Sequence, residues 1–185
     1  MKHILFIIFH FLIINISFSQ KIAFQKIDCK DYDTYSYINN TIAAKLTEKG
    51  IDIVKLCNTD LQPNHWGYEE VDFIRGIDTR GILDPQKLKV SATYLQDVGY
   101  THLLIPIENK GIFRICTDAV SLYNSNDIWW CKFHLYNLQN LKFQEIRLTI
   151  STSGKTELTL EECSNINNVI NEVVDFSKGK KKNKK

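Results

Sequence analysis

The sequence predicts a single-domain α/β sandwich, a mixed β-sheet of about four to five strands with helices packed on it. Three observations carry this expectation. Short β-branched runs alternate with stretches of helical period in the order β-α-β, α-β. That alternation places helices over the faces of a sheet. Residues 127–151 then follow a period of two along both arms of one hairpin. A last amphipathic stretch supplies another covering helix. With 185 residues, three Pro and eight Gly, the chain is no collagen-like repeat, disordered polymer or disulfide-dense mini-scaffold.

Each element has its own warrant. Residues 21–27 (KIAFQKI) are apolar without helical spacing and read as a strand, and residues 28–33 are a polar connection. Tyr35, Ile38, Ile42 and Leu46 lie three and four apart, on one face of a helix over 34–49. Gly50 stands where a helix ends in a left-handed residue. Residues 51–57 (IDIVKLC) are a second strand, and residues 58–83 a long, irregular, charged and aromatic segment. Asp84 as a cap, Pro85 in the first turn, and Leu88, Ala92 and Leu95 at helical spacing then predict a helix that Gly99 closes. Residues 100–107 (YTHLLIPI) read as a strand, and residues 112–123 as a further one.

In the hairpin, Trp129, Cys131, Phe133 and Leu135 share one face of the first arm, and Ile146, Leu148 and Ile150 one face of the second. Residues 137–140 provide the turn. Thr159 and Glu162 form a capping-box pattern. It opens one helix with Leu160, Cys163, Ile166, Ile170 and Val174 on a single side, ending near Phe176.

The ends of the chain differ from its body. Lys2, an apolar run over 4–14 and Ser17-Phe18-Ser19 before Gln20 make an export signal, cut between Ser19 and Gln20. The apolar run is too short to cross a bilayer, and no later run is long enough to do so. The expected parts are thus a signal peptide (1–19), one α/β domain (20–176) and a disordered lysine-rich tail (177–185), in a soluble periplasmic or secreted protein. The abundance of Ile, Asn and Lys suits an AT-rich bacterial genome. The formal net charge of +2 conceals an asymmetry. Setting aside Lys2 and the tail lysines Lys178, Lys180, Lys181, Lys182, Lys184 and Lys185 leaves 16 basic residues against 21 acidic ones, about −5 for the body. The tail can attract an anionic polymer or lipid headgroups, or serve only to keep the chain soluble. The acidic body and export both disfavour nucleic acid.

The pieces KIAFQKI (21–27), LTEKGIDIV (46–54), ATYLQDVGYTHLLIPI (92–107) and WCKFHLYNLQNLKFQEI (130–146), with the terminal helix, resemble the periplasmic domains of the TolB amino-terminal, CsgG and LpoB-like kind. The resemblance implies that fold, and non-catalytic binding or assembly in the cell envelope with an envelope protein as partner. It assigns no functional residue. CsgG and LpoB are lipoproteins, whereas no cysteine follows the leader directly here. TolB continues into a propeller, for which this chain has no residues left.

Candidate chemistry is sparse, and neither a catalytic residue, a metal site nor a cofactor is assigned. Asn64, His65, Trp66, Tyr68, Glu69, Glu70 and Asp72 form the speculative binding patch. The same His65 with Glu69, Glu70 or Asp72 offers the alternative of a small secreted hydrolase, because a carboxylate can orient an imidazole for acid–base work. Asp28, Asp31 and Asp33 could collect a hard cation, but lack EF-hand spacing. Adjacent Trp129 and Trp130 must point to opposite faces, so one enters the core. An exposed Trp130, or Trp66, would suit a carbohydrate-binding module. His102 and His134 read as structural. The five cysteines, Cys29, Cys57, Cys116, Cys131 and Cys163, cannot all pair internally. Cys131 and Cys163 read as buried thiols, and an oxidising compartment permits one or two bridges among the set.

Overall fold

A computed structural model describes residues 20–27, 33–57, 85–110, 113–116, 119–122, 128–151 and 158–180. The expected leader (1–19), residues 28–32, residues 58–84 and residues 181–185 lie outside them. The main sheet has five strands: β1 (Lys21–Gln25), β2 (Asp52–Leu56), β3 (His102–Lys110), β6 (Ile128–Asn137) and β7 (Phe143–Ser151). Their order is β2-β1-β3-β6-β7. The β1 strand runs parallel to β2 and β3, whereas β3, β6 and β7 are antiparallel in turn. This is the mixed sheet of an α/β domain, as the order of elements predicts.

Helices cover both faces. On one face α1 (Asp33–Glu48), α3 (Leu160–Cys163) and α4 (Ile166–Ser177) bury Ile38, Ile42, Leu46, Leu160, Ile166, Val169 and Val173 against Phe24, Trp129, Phe133 and Leu148. On the other, α2 (Pro85–Asp97) seats Leu88, Ala92 and Leu95 over Ala23, Leu103, Ile105, Tyr136 and Leu138. The alternation along β6 decides the tryptophans: Trp129 is fully buried, and Trp130 is half-buried on the opposite face.

Gly50 and Gly99 close α1 and α2 with φ of 77° and 90°. In each case the glycine N–H reaches back to a carbonyl three residues earlier and the next N–H to one five residues earlier. This is the Schellman geometry, which favours glycine at the left-handed position. Buried Ile51 follows the first stop and half-buried Tyr100 the second, so each stop also feeds an apolar residue toward the next strand.

Two expectations need amendment. Residues 112–123 are not one strand: β4 (Phe113–Cys116) and β5 (Ala119–Leu122) pair antiparallel with each other, apart from the main sheet. Cys116 pairs with Ala119, so two residues of sequence separate the strands, and one of them is Asp, a residue type depleted in strands.

The final helix is also divided. Thr159 caps α3 with the expected reciprocal Glu162 box, but Ser164 bridges to Ile150 and Asn165 is drawn to the edge of β7. The Asn165 Oδ1 accepts from the Thr149 N–H at 2.8 Å, and its Nδ2 donates to the Arg147 carbonyl at 2.8 Å. Satisfying the open edge of β7 outweighs continuing the helix. The last helix ends at Ser177, near Phe176 as expected; Ser177 is buried, and the N–H groups of Gly179 and Lys180 bond the Phe176 and Asp175 carbonyls.

Candidate functional site

Because α2 sits over β1, β3 and the Tyr136 end of β6, the rest of the β6–β7 half of that face is left without a helix among the described residues. The strip consists of alternate residues on two strands, and their register sets who meets whom: Trp130 faces Thr149, Lys132 faces Arg147, His134 faces Glu145 and Tyr136 faces Phe143. Exposed apolar groups stand at its ends, Ile128 at 53% and Phe143 at 47% exposure.

Lys132 and Arg147 are like charges directly opposite each other, an unfavourable cross-strand pair. The strip compensates them differently. Lys132 Nζ lies 3.5 Å from Glu108 and 3.8 Å from Glu145. Glu108 reaches this position because the β3–β6 register shifts between Pro106 and Glu108, as a bulge re-aims the side chains that follow it. Arg147 has no carboxylate partner among the described residues; its guanidinium lies 4.3 Å from the centroid of the Trp130 ring.

His134 is the buried hinge of the strip. Its Nδ1 is 3.1 Å from the Tyr136 hydroxyl, its Nε2 is 3.7 Å from the Glu145 carboxylate, and Phe143 stacks on it at 4.3 Å. Burial pushes its pKa below the ordinary value, with Lys132 adding to the effect, while Glu145 opposes both. A neutral ring protonated at Nε2 therefore fits best, its Nδ1 accepting a hydrogen bond from the Tyr136 hydroxyl. Burial raises Tyr136 to about 12, so the phenol keeps its proton. A protonated phenol, a neutral imidazole and near-complete burial of both suit a structural hydrogen bond better than acid–base exchange with a substrate.

The remaining predicted groups fall as follows. His65, Trp66, Tyr68, Glu69, Glu70 and Asp72 lie outside the described residues, as do Asp28 and Asp31, so the structure neither joins nor separates them. His102 is buried beside Phe176, its Nδ1 3.0 Å from the Thr101 hydroxyl. Among the described residues no cluster of metal-ligating side chains occurs, and no helix is long and apolar enough to cross a membrane. Cys131 and Cys163 are free buried thiols, both with raised pKa values from desolvation. Cys57, just beyond β2, is in a disulfide. Of the tail lysines, Lys178 caps α4 and Lys180 lies 3.3 Å from Asp175.

Spacing along the chain could single out neither Arg147 nor Lys132 as part of a site. Each gains its meaning from a residue on the facing strand, 15 to 17 positions away.

No family model matches the chain, and no curated protein matches it. Among solved structures it aligns with a PelC variant dodecamer from Paraburkholderia phytofirmans at a TM-score of 0.42 and 12% identity, over 88% of this chain and 90% of that one. A second crystal form of the PelC dodecamer from the same organism gives a TM-score of 0.42 and 11% identity, over 90% and 92%. Likeness of this degree identifies no family.

Proposed function

We propose that the chain is an exported, non-catalytic cell-envelope protein that binds a polymer or protein partner. The observation that carries the export half is the bridged Cys57, since disulfides persist in oxidising compartments and are rare in a reducing cytosol. The leader with its Ser17-Phe18-Ser19 cut site supports the same reading, as does the resemblance to envelope domains of the TolB and CsgG kind. The binding half is supported by the open β6–β7 strip, whose exposed cation and aromatics are groups that recognise ligands.

Fractionation of cells expressing the full chain tests export. The expected product begins at Gln20 outside the cytoplasm, and thiol trapping without reductant finds Cys57 blocked while Cys131 and Cys163 label after denaturation. Full-length chain in the cytoplasm with Cys57 reduced would end the proposal.

The tail has a sharper test because the N–H groups of residues 178–180 bond back onto the end of α4. Removing residues 181–185 deletes four lysines without touching the helix stop. Retention on anionic vesicles should fall, at about 1 kcal/mol per lysine at most, with the melting temperature unchanged. Equal retention of both forms would leave the tail a solubility device.

A further inference from the structure

Arg147 is the one cation of the β6–β7 strip that the described residues do not neutralise. The carboxylates within reach, Glu108 and Glu145, are engaged with Lys132, and Glu145 also faces His134. The Arg147 side chain is exposed and lies over Trp130. An aromatic ring supports a guanidinium from one side and leaves its N–H donors at the rim, where the planar fork matches a carboxylate with two parallel hydrogen bonds. Eight residue steps of β7, about 26 Å of extended strand, separate Phe143 from the level of Ile128. The strip is therefore long, with a cation near its middle and an exposed apolar group at each end.

A peptide would bind such a place most readily by adding a strand to the edge of β7. That route is closed beside Arg147, because Asn165 occupies both the Arg147 carbonyl and the Thr149 N–H. What remains is the face, offering a carboxylate receptor and apolar contact for flat rings.

We propose that the strip binds a polysaccharide bearing carboxylates, with one uronate on Arg147 and neighbouring sugar rings laid along β6 and β7 toward Ile128 and Phe143. This rests on the reading that the partner is a polymer, and names its chemistry.

The test is a titration of the isotope-labelled full chain with short oligogalacturonates. Neutral dextran oligomers, polyglutamate and inorganic phosphate serve as comparison probes. Saturable shifts are expected at the Trp130 indole N–H and the Arg147 Nε–H, absent with dextran. Arg147→Gln should weaken binding about tenfold, as loss of a two-pronged charged contact implies. Arg147→Lys should fall between, keeping the charge and losing the fork. Both substitutions are at an exposed side chain, so an unchanged melting temperature shows that each variant is folded.

Equal affinity of Arg147→Gln and the parent overturns the proposal, as do shifts confined to residues 178–180, which would assign binding to the lysine end. Stronger shifts with polyglutamate or phosphate than with oligogalacturonate overturn it in favour of those ligands. Failure here, with the exported and bridged chain still recovered, removes this site and leaves the export reading standing.

Discussion

Phe133→Ala is expected to lower stability by about 3–5 kcal/mol, the usual cost of emptying a large aromatic site in a packed core. Phe133 is fully buried on β6, one of the sheet's inner strands, and its ring centroid lies 6.3 Å from that of Phe24 on β1. The two rings meet at 56°, a tilted contact that adds modestly to the area they bury. Above them lie the apolar stripes of α1 and α4, which the same cavity would loosen. For a domain of this size the loss corresponds to a melting temperature lower by about 10 °C. Phe143→Ala is the control: that ring is 47% exposed and meets His134 and Tyr136 from the surface side, so its loss should cost only about 1 kcal/mol. Chemical denaturation of both variants measures the contrast. Equal losses would mean that the core does not lie on the α1–α4 face.

The second large effect is a loss of stability in mild acid. Burial lowers the His102 pKa from 6.5 to about 4. Its Nδ1 is held at the Thr101 hydroxyl, and among the described residues its Nε2 has no hydrogen-bond partner. Protonation would place an unpaired charge beside the Phe176 ring. Between pH 6.5 and about 4 the unfolded chain binds the proton and the folded one does not. Stability is therefore fully present above pH 6.5 and falls as the solution is acidified through that window, by about 2–3 kcal/mol from this group. His134, also lowered, acts in the same direction. In His102→Leu, urea unfolding at pH 7 and pH 4.5 should show a clearly smaller difference than in the parent. Parallel pH profiles for the two proteins would refute this role.

How much of this was legible in the sequence depended on whether the signal is local. The two glycine stops after α1 and α2, the capping box at Thr159 and the opposite fates of Trp129 and Trp130 follow from spacing within one element, and all appear as expected. The division between α3 and α4 was hidden for a physical reason. Leu160, Cys163, Ile166 and Ile170 keep helical spacing across the break, because both helices face the same sheet. Only Ser164 and Asn165 hint at it, and their role depends on β7 lying alongside.

The strip is hidden in the same way. Pairing Lys132 with Arg147 requires the hairpin register, which the loop between β6 and β7 sets. There Asn137 Oδ1 accepts from the Gln139 and Asn140 N–H groups, and Leu141 adopts φ of 57°. A left-handed leucine is not a turn signal that composition reveals. It is held there while its side chain packs with the α2 cluster. A register one residue different would send Arg147 to the buried face.

The close of α4 also gives the molecule a direction. Phe176 meets His102 at the start of β3, and Thr101 bonds both the Gln20 side chain and the Lys21 carbonyl at the start of β1. Residues 20 and 180 therefore leave the domain from the same pole, while Ile27 and Cys57 stand at the opposite one. Five residues beyond Lys180 reach at most about 18 Å when extended. A surface gripped by residues 181–185 would thus lie against the pole where β1 and β3 begin, away from the end of the sheet where Cys57 stands.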